Sequence, residues 1–144
     1  MTLELLDLSP DLWTGTITTG ATASNILGLA SAREAVLRQF GCSPTEDGLA
    51  DCRPVNVFVA LPHASIKKAA SLVGIGRRRV HECGVTVRSD TPSDRVLALD
   101  FDLDSLKLRL EEAAKNREGS IVVVGFGEVN TVSWVGHGQE IQAN

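Results

Sequence analysis

The sequence predicts an α/β fold, a mostly parallel sheet flanked by helices. Apolar residues recur at helical spacing in several segments, Val-rich runs too short for helices alternate with them, and Gly or Pro stands at most junctions. Helices alternating with buried strands pack in layers on a largely parallel sheet joined by right-handed crossovers.

From Ala23 to Phe40 the residues Ile26, Leu29, Ala30, Val36, Leu37 and Phe40 mark one face of a first helix, which Gly41 stops. Behind Pro54, Val55-Asn56-Val57-Phe58-Val59-Ala60-Leu61 is β-branched and nearly continuous, the pattern of a strand buried on both faces, and Pro62 ends it. A second helix starts at Ser65, turns Ile66, Ala69, Ala70 and Val73 inward and Lys67 and Lys68 outward, and stops at Gly74. Arg79 to Val87 reads as a strand or a pair of short strands broken at Gly84, and the stretch from Ser89 to Asp94 is rich in turn residues. Val96 to Leu99 is a further short strand. Asp102 or Asp104 caps a helix that runs through Leu106, Leu110, Ala113 and Ala114, with Gly119 past its end. The segment from Ile121 to Phe126 is the most strand-like in the chain.

With 144 residues, 43% hydrophobic and 22% charged, residues 1–144 read as a single ordinary domain whose core needs no disulfide or structural metal. The formal net charge of -4, and an Arg77-Arg78-Arg79 cluster without interleaved aromatics, argue against nucleic acid as a partner. No run approaches the ~18 apolar residues of a membrane span, and the acidic Met1 to Asp7 is unlike a leader, so a cytoplasmic address is expected. Cys42, Cys52 and Cys83 are odd in number and lack CxxC spacing, so reduced thiols are expected. His81-x-Cys83 puts two donors on one strand face with no third or fourth, and no metal site is expected. Nothing after the run from Ile121 to Phe126 would cover it, and an uncharged open edge invites pairing. The chain is therefore expected to be part of something larger.

Two segments carry candidate chemistry. Gly15-Thr16-Ile17-Thr18-Thr19-Gly20-Ala21-Thr22-Ala23-Ser24-Asn25 is a small-residue loop running into the first helix. Small residues admit a ligand close to the backbone, and free N–H groups with the positive end of the helix dipole favour an anion such as phosphate. Thr22 would add a hydroxyl. The same residues also serve as ordinary helix caps, and the Lys-Ser/Thr ending of a P-loop is absent. The second segment, Pro62-His63-Ala64-Ser65-Ile66-Lys67-Lys68-Ala69, places His63 just beyond a buried strand, where open α/β sheets bind ligands and where capping histidines also occur.

Together these segments resemble the group II pyridoxal-phosphate-dependent amino acid decarboxylases. Thr18 to Ala30 with Ala32-Arg33 is similar to that family's phosphate-binding loop and helix. His63-Ala64-Ser65-Ile66-Lys67-Lys68-Ala69 is similar to its His-Ser-Ser-Val-x-Lys-Ala segment, with Gly74-Ile75-Gly76 following. Phe101 to Leu106 and Val122 to Thr131 resemble its later helix and its strand ending in Gly-Thr-Thr-Asn-Thr-Gly. The resemblance runs from Trp13 to Trp134 and is nearest to the aromatic amino acid and tyrosine decarboxylase branch, in its fungal type.

The resemblance implies a partial fold-type-I large domain, pyridoxal 5'-phosphate (PLP) as cofactor, an amino acid substrate of aromatic type, and a homodimer in the complete family member. It implies that Ala21 and Thr22 bind the cofactor phosphate, that Gly20 shapes the loop, and that His63 stacks on the pyridine ring and positions the substrate as a catalytic residue. Glu128 and Val129 replace the family's two threonines, and Val132 its glycine. The segments that carry the family's pyridinium-binding Asp and Schiff-base Lys have no counterpart here.

Lys67, Lys68, Lys107 and Lys115 all fall on polar helix faces, so the isolated chain is expected not to complete decarboxylation. The alternative is a non-catalytic remnant that binds a phosphate ligand or pairs with a full-length relative. Gly125-Phe126-Gly127, a partial dinucleotide fingerprint, lacks its third Gly. Cys42 and Cys52 have no identifiable base, and Glu111-Glu112 belongs to a charged helix face.

Overall fold

The Val-rich run after Pro54 forms a central strand whose residues are all buried. The structure, a computed structural model, describes residue 7, residues 9–86 and residues 97–124. In chain order the elements are helix Ala21–Arg38 (α1), the single turn Pro44–Asp47 (α2), strand Val55–Val59 (β1) and helix Ala64–Leu72 (α3). A 3-10 turn at Arg77–Arg79 then leads into strand Val80–Glu82 (β2) and strand Gly84–Thr86 (β3). Strand Leu97–Phe101 (β4), helix Leu103–Lys115 (α4) and strand Gly119–Val123 (β5) complete the series.

A strand without a polar face has to lie inside a sheet, and β1 is the middle strand of a parallel sheet of order β2-β1-β5. Val57 is in register with Val80 on one side and Ile121 on the other. Side chains alternate between the two faces. Val55 and Val57 join Leu29, Leu37, Ile66, Ala69, Ala70 and Val73 in one core, so α1 and α3 cover that face. Phe58 turns to the opposite face and packs with Cys83, Leu106 and Ala113 beneath α4. Each fully buried Val, Leu or Ile contributes about 1.5–3 kcal/mol, so the α1/α3 face, with the larger set of buried aliphatics, dominates the packing energy.

The expected elements are all found where described residues reach them, with shifted ends. α1 begins at Ala21 rather than Ala23, because the small residues before Ile26 complete its first turn, and it ends at Arg38. α3 begins at Ala64, capped by His63. Asp102 caps α4, its carboxylate accepting from the Ser105 N–H at 3.0 Å. Of the final strand-like run, β5 and Val124 are described, whereas the motif residues 125–131 lie outside the described residues.

The mostly parallel sheet expected from the sequence is found, with one antiparallel pair beside it: β3 leaves the main sheet and pairs with β4, Gly84 opposite Phe101. The handover occurs at Cys83, whose N–H donates to the Val59 carbonyl at 2.8 Å while its own carbonyl accepts from Asp102 N–H at 2.8 Å. Gly84 makes that turn possible, since a Cβ there would collide with the Ala60 carbonyl oxygen. One expectation is corrected: the thiols are not all reduced. Cys42 and Cys52 form a disulfide with Cα atoms 5.7 Å apart, and only Cys83 is free. Ten residues of separation and no CxxC spacing hide that pair in the sequence. The turn α2 folds the segment back and brings Leu49 over Gly74.

Candidate functional site

The N-terminus of α1 is open. Its cap, Gly20, has φ 167° and ψ 164° with no side-chain cap bond, and the first turn holds no acidic residue. That backbone is extended and suits any residue, so the left-handed freedom of glycine is not in use. What Gly20 leaves is space, with nothing within 4 Å of where a Cβ would lie. The first helical bond runs from Ser24 N–H to the Gly20 carbonyl at 3.2 Å. The N–H groups of Ala21, Thr22 and Ala23 have no acceptor among the described residues, as expected of a helix start without a cap.

Thr18 ties the loop to the helix without using those donors. Its hydroxyl donates to the Gly20 carbonyl at 3.1 Å and accepts from the Ser24 hydroxyl at 2.5 Å. The result is a set of free donors at the positive end of an 18-residue helix, with Ala21 exposed and Thr22 half-buried beside them.

His63 lies beyond the carboxyl end of β1. From β1 the chain crosses over α3 to β2 on one side, while β5, entered from α4 on the opposite face, lies on the other. Strand order therefore reverses at β1, which is where open α/β sheets form a ligand crevice. His63 also caps α3, its Nδ1 accepting from the Ser65 N–H at 3.2 Å, so the capping reading of this residue holds. The Ser65 hydroxyl is 2.7 Å from the same nitrogen, and the Asn25 amide donates to that hydroxyl at 2.9 Å. Because α1 and α3 lie side by side on one face, this chain of bonds joins the open helix start to the imidazole. The sequence placed both ends of it but not Ser65, whose hydroxyl reads as an ordinary helix-start residue.

Other motif residues serve the fold. The Arg33 guanidinium donates to the Val73 carbonyl, satisfying the end of α3 where the helix dipole is negative. Lys67, Lys68, Lys107 and Lys115 are all exposed, as their helix faces predicted.

A second polar group was missed. Asn56, 4% exposed in the middle of the Val run, accepts from Arg79 at 3.3 Å and from His81 Nε2 at 2.9 Å, and donates to Glu118 at 2.7 Å. Arg79 also pairs with Glu118 at 3.1 Å. The polar residue inside an otherwise apolar strand was the available signal. Burial holds His81 below its ordinary value, helped by the charges of Arg109 and Arg79. The Asn56 hydrogen bond and Arg79 hold Glu118 below the usual carboxylate range, against the effect of its partial burial.

His81 stacks on Phe58 with ring centroids 5.3 Å apart, and Cys83 is buried in the same core, its thiol pushed up by burial. Both thus share one face, where they are used in packing. Among the described residues no group of three His, Cys, Asp or Glu is placed to hold a metal ion. A cavity of about 270 Å3 lies beside Asn56 and His81, and one of about 450 Å3 lies between the ends of α1 and α4. Neither is lined by His63 or by the start of α1. Among the described residues no helix is long and apolar enough to cross a membrane.

No family model and no curated protein matches the sequence. Solved structures do match the fold. The crystal structure of mouse CSAD in apo form superposes with a TM-score of 0.55 at 19% identity, covering 76% of this chain and 20% of that one. Another crystal structure of mouse CSAD gives the same TM-score and identity, with 21% of its chain covered. The likeness is one of fold, and the chain spans about a fifth of the length of the chains it matches.

Proposed function

We propose that this chain contributes the phosphate-binding part of a PLP-dependent amino acid decarboxylase. In this reading Ala21 and Thr22 hold the cofactor phosphate, Gly20 leaves it room, and His63 faces the ring and positions the substrate. The observation that carries it is the hydrogen-bonded joint of Asn25, Ser65 and His63, which sets a helix start with free donors beside an imidazole at the strand-order reversal. Support comes from the sequence resemblance together with the fold shared with mouse CSAD. These residues fit a phosphate, since the donors at α1 are uncapped and its first turn holds no acidic residue.

Bound PLP would supply an electron sink for the charge left as carbon dioxide departs. The chain's own part is narrower. Backbone N–H groups of α1 bind the phosphate, the Thr22 hydroxyl adds a further donor, and His63 orients the ligand. An aromatic amino acid is the substrate that the sequence resemblance favours, in a cytoplasmic homodimer. The fold does not itself select an aromatic side chain.

All four lysines are exposed, an observation that supports a second reading of the chain alone: a phosphate binder without lyase chemistry that pairs with a complete relative.

Equilibrium titration with PLP, with inorganic phosphate as competitor, tests the site. We expect one PLP site that phosphate competes for and that Thr22→Glu abolishes by placing a carboxylate at the helix start. Binding that is absent, or indifferent to Thr22→Glu, would overturn the proposal. Borohydride reduction followed by intact mass is expected to give no single stoichiometric lysine adduct. One such adduct would show that a lysine of this chain takes the catalytic place.

A further inference from the structure

The hydrogen bonds around His63 have only one consistent direction. The Ser65 backbone N–H points at Nδ1 from 3.2 Å, and an N–H can only donate, so Nδ1 carries a lone pair. The Ser65 hydroxyl, 2.7 Å from the same nitrogen, therefore gives its hydrogen to Nδ1 as well. With that hydrogen engaged, Oγ is left to accept, and the Asn25 amide donates to it at 2.9 Å. The sequence of donors runs from Asn25 through Ser65 to His63. The neutral ring then bears its proton on Nε2, which has no partner among the described residues.

We propose that Ser65 and Asn25 are positioning residues that hold His63 in the Nε2–H tautomer, so that the imidazole offers a ligand a hydrogen-bond donor and no acceptor. The proposal rests on the reading of His63 as a ligand-facing residue. It narrows the chemistry of that role: His63 recognises an oxygen acceptor, such as a substrate carboxylate, and does not take a proton from the ligand. Ser65 is 8% exposed, so water competes little for its hydroxyl. Asn25 belongs to the start of α1, so the helix that would hold the phosphate also sets the tautomer of the ring.

Long-range proton–nitrogen correlation spectra of the uniformly 15N-labelled chain, recorded without PLP at about pH 9 where imidazoles are neutral, read the tautomer directly. We expect His63 to be Nε2–H by roughly tenfold or more, the effect of one to two hydrogen bonds. Asn25→Asp is the diagnostic variant. Its carboxylate accepts from the Ser65 hydroxyl, which turns that hydroxyl into an acceptor for Nδ1–H, and the Nδ1–H form should rise several-fold. Ser65→Ala should also raise it, and Ser65→Thr should restore the wild-type ratio.

A wild-type ring that is mainly Nδ1–H, or a ratio unmoved by Asn25→Asp in a folded chain, would overturn the relay. The same spectra with PLP added separate the two readings. A His63 ring unmoved by bound PLP would overturn its ligand-facing role while leaving the tautomer assignment standing. A lost tautomer with PLP still bound would overturn the relay alone.

Discussion

The Asn25 side-chain amide donates to the Ser65 hydroxyl across 2.9 Å, and this bond ties the first helix to the cap of the second over 40 residues of sequence. Both partners sit near a helix start, where backbone donors already compete for acceptors. Asn25→Ala should destabilise the fold by about 1 kcal/mol, and Ser65→Ala by a similar amount, as for other partly buried neutral hydrogen bonds. Urea denaturation of the two single variants and the double variant should give a coupling of about 0.5–1 kcal/mol, and strict additivity would show that the bond is not formed in solution.

Asn56 should be the costliest single polar position. Its side chain is hydrogen-bonded to Arg79, His81 and Glu118, and its removal deprives three partly buried groups of a partner at once. Asn56→Ala should lower stability by about 2–4 kcal/mol, more than one exposed ion pair could account for. A loss below about 1 kcal/mol in thermal or urea unfolding would mean that water replaces the network.

Acid should weaken the fold in two steps of the same sign. His81 is held below its ordinary 6.5 chiefly by burial, then by Arg109 and Arg79, with Glu118 and Glu112 opposing. The unfolded chain therefore takes up this proton first. The stability linked to His81 is whole above 6.5 and drains as pH falls from there through the lower folded value. Glu118 is held below its ordinary 4.5 by Asn56 and Arg79 against partial burial, so its contribution is lost as pH falls below 4.5. Melting temperatures across pH should show both declines, with His81→Gln removing the first and Glu118→Gln the second.

Gly84→Ala should destabilise by about 1–3 kcal/mol, because the new methyl meets a backbone carbonyl rather than a side chain that can swing away. Gly28→Ala, where nothing lies within 4 Å, is the control and should be neutral or slightly stabilising, since alanine favours a helix interior. Thermal unfolding of the two variants distinguishes a steric effect from a general response to replacing glycine.

The cysteines should separate by reactivity. Opening the Cys42–Cys52 bond with a reductant should cost up to about 3 kcal/mol, the chain-entropy value for a loop of this size. Cys83 is buried and its thiol is pushed up, so alkylation in the native chain should be slow and should accelerate on unfolding. Mass mapping after iodoacetamide, with and without reductant, reads both.

The fold was legible wherever one physical cause dominated. A continuous β-branched run marked β1, apolar periodicity marked α1 and α4, and of the two expected caps, Asp102 and Asp104, it is Asp102 that accepts from the Ser105 N–H. What escaped depended on residues distant in sequence. The antiparallel pairing of β3 with β4 turns on Gly84 meeting the Ala60 carbonyl. The disulfide depends on a turn at Pro44–Asp47 that has no periodicity to announce it. In the candidate site, the small-residue loop and His63 were visible as local chemistry. Ser65, which joins them, was hidden because a serine at a helix start needs no further explanation.

If the start of α1 and His63 form one ligand site, backbone amide spectra recorded during a PLP titration will show it. Saturable shifts are expected at Ala21, Thr22 and Ala23 together with the His63 ring, reversed by excess inorganic phosphate. Shifts confined to the lysine-bearing segments of α3 and α4, with the start of α1 unmoved, would contradict that single site.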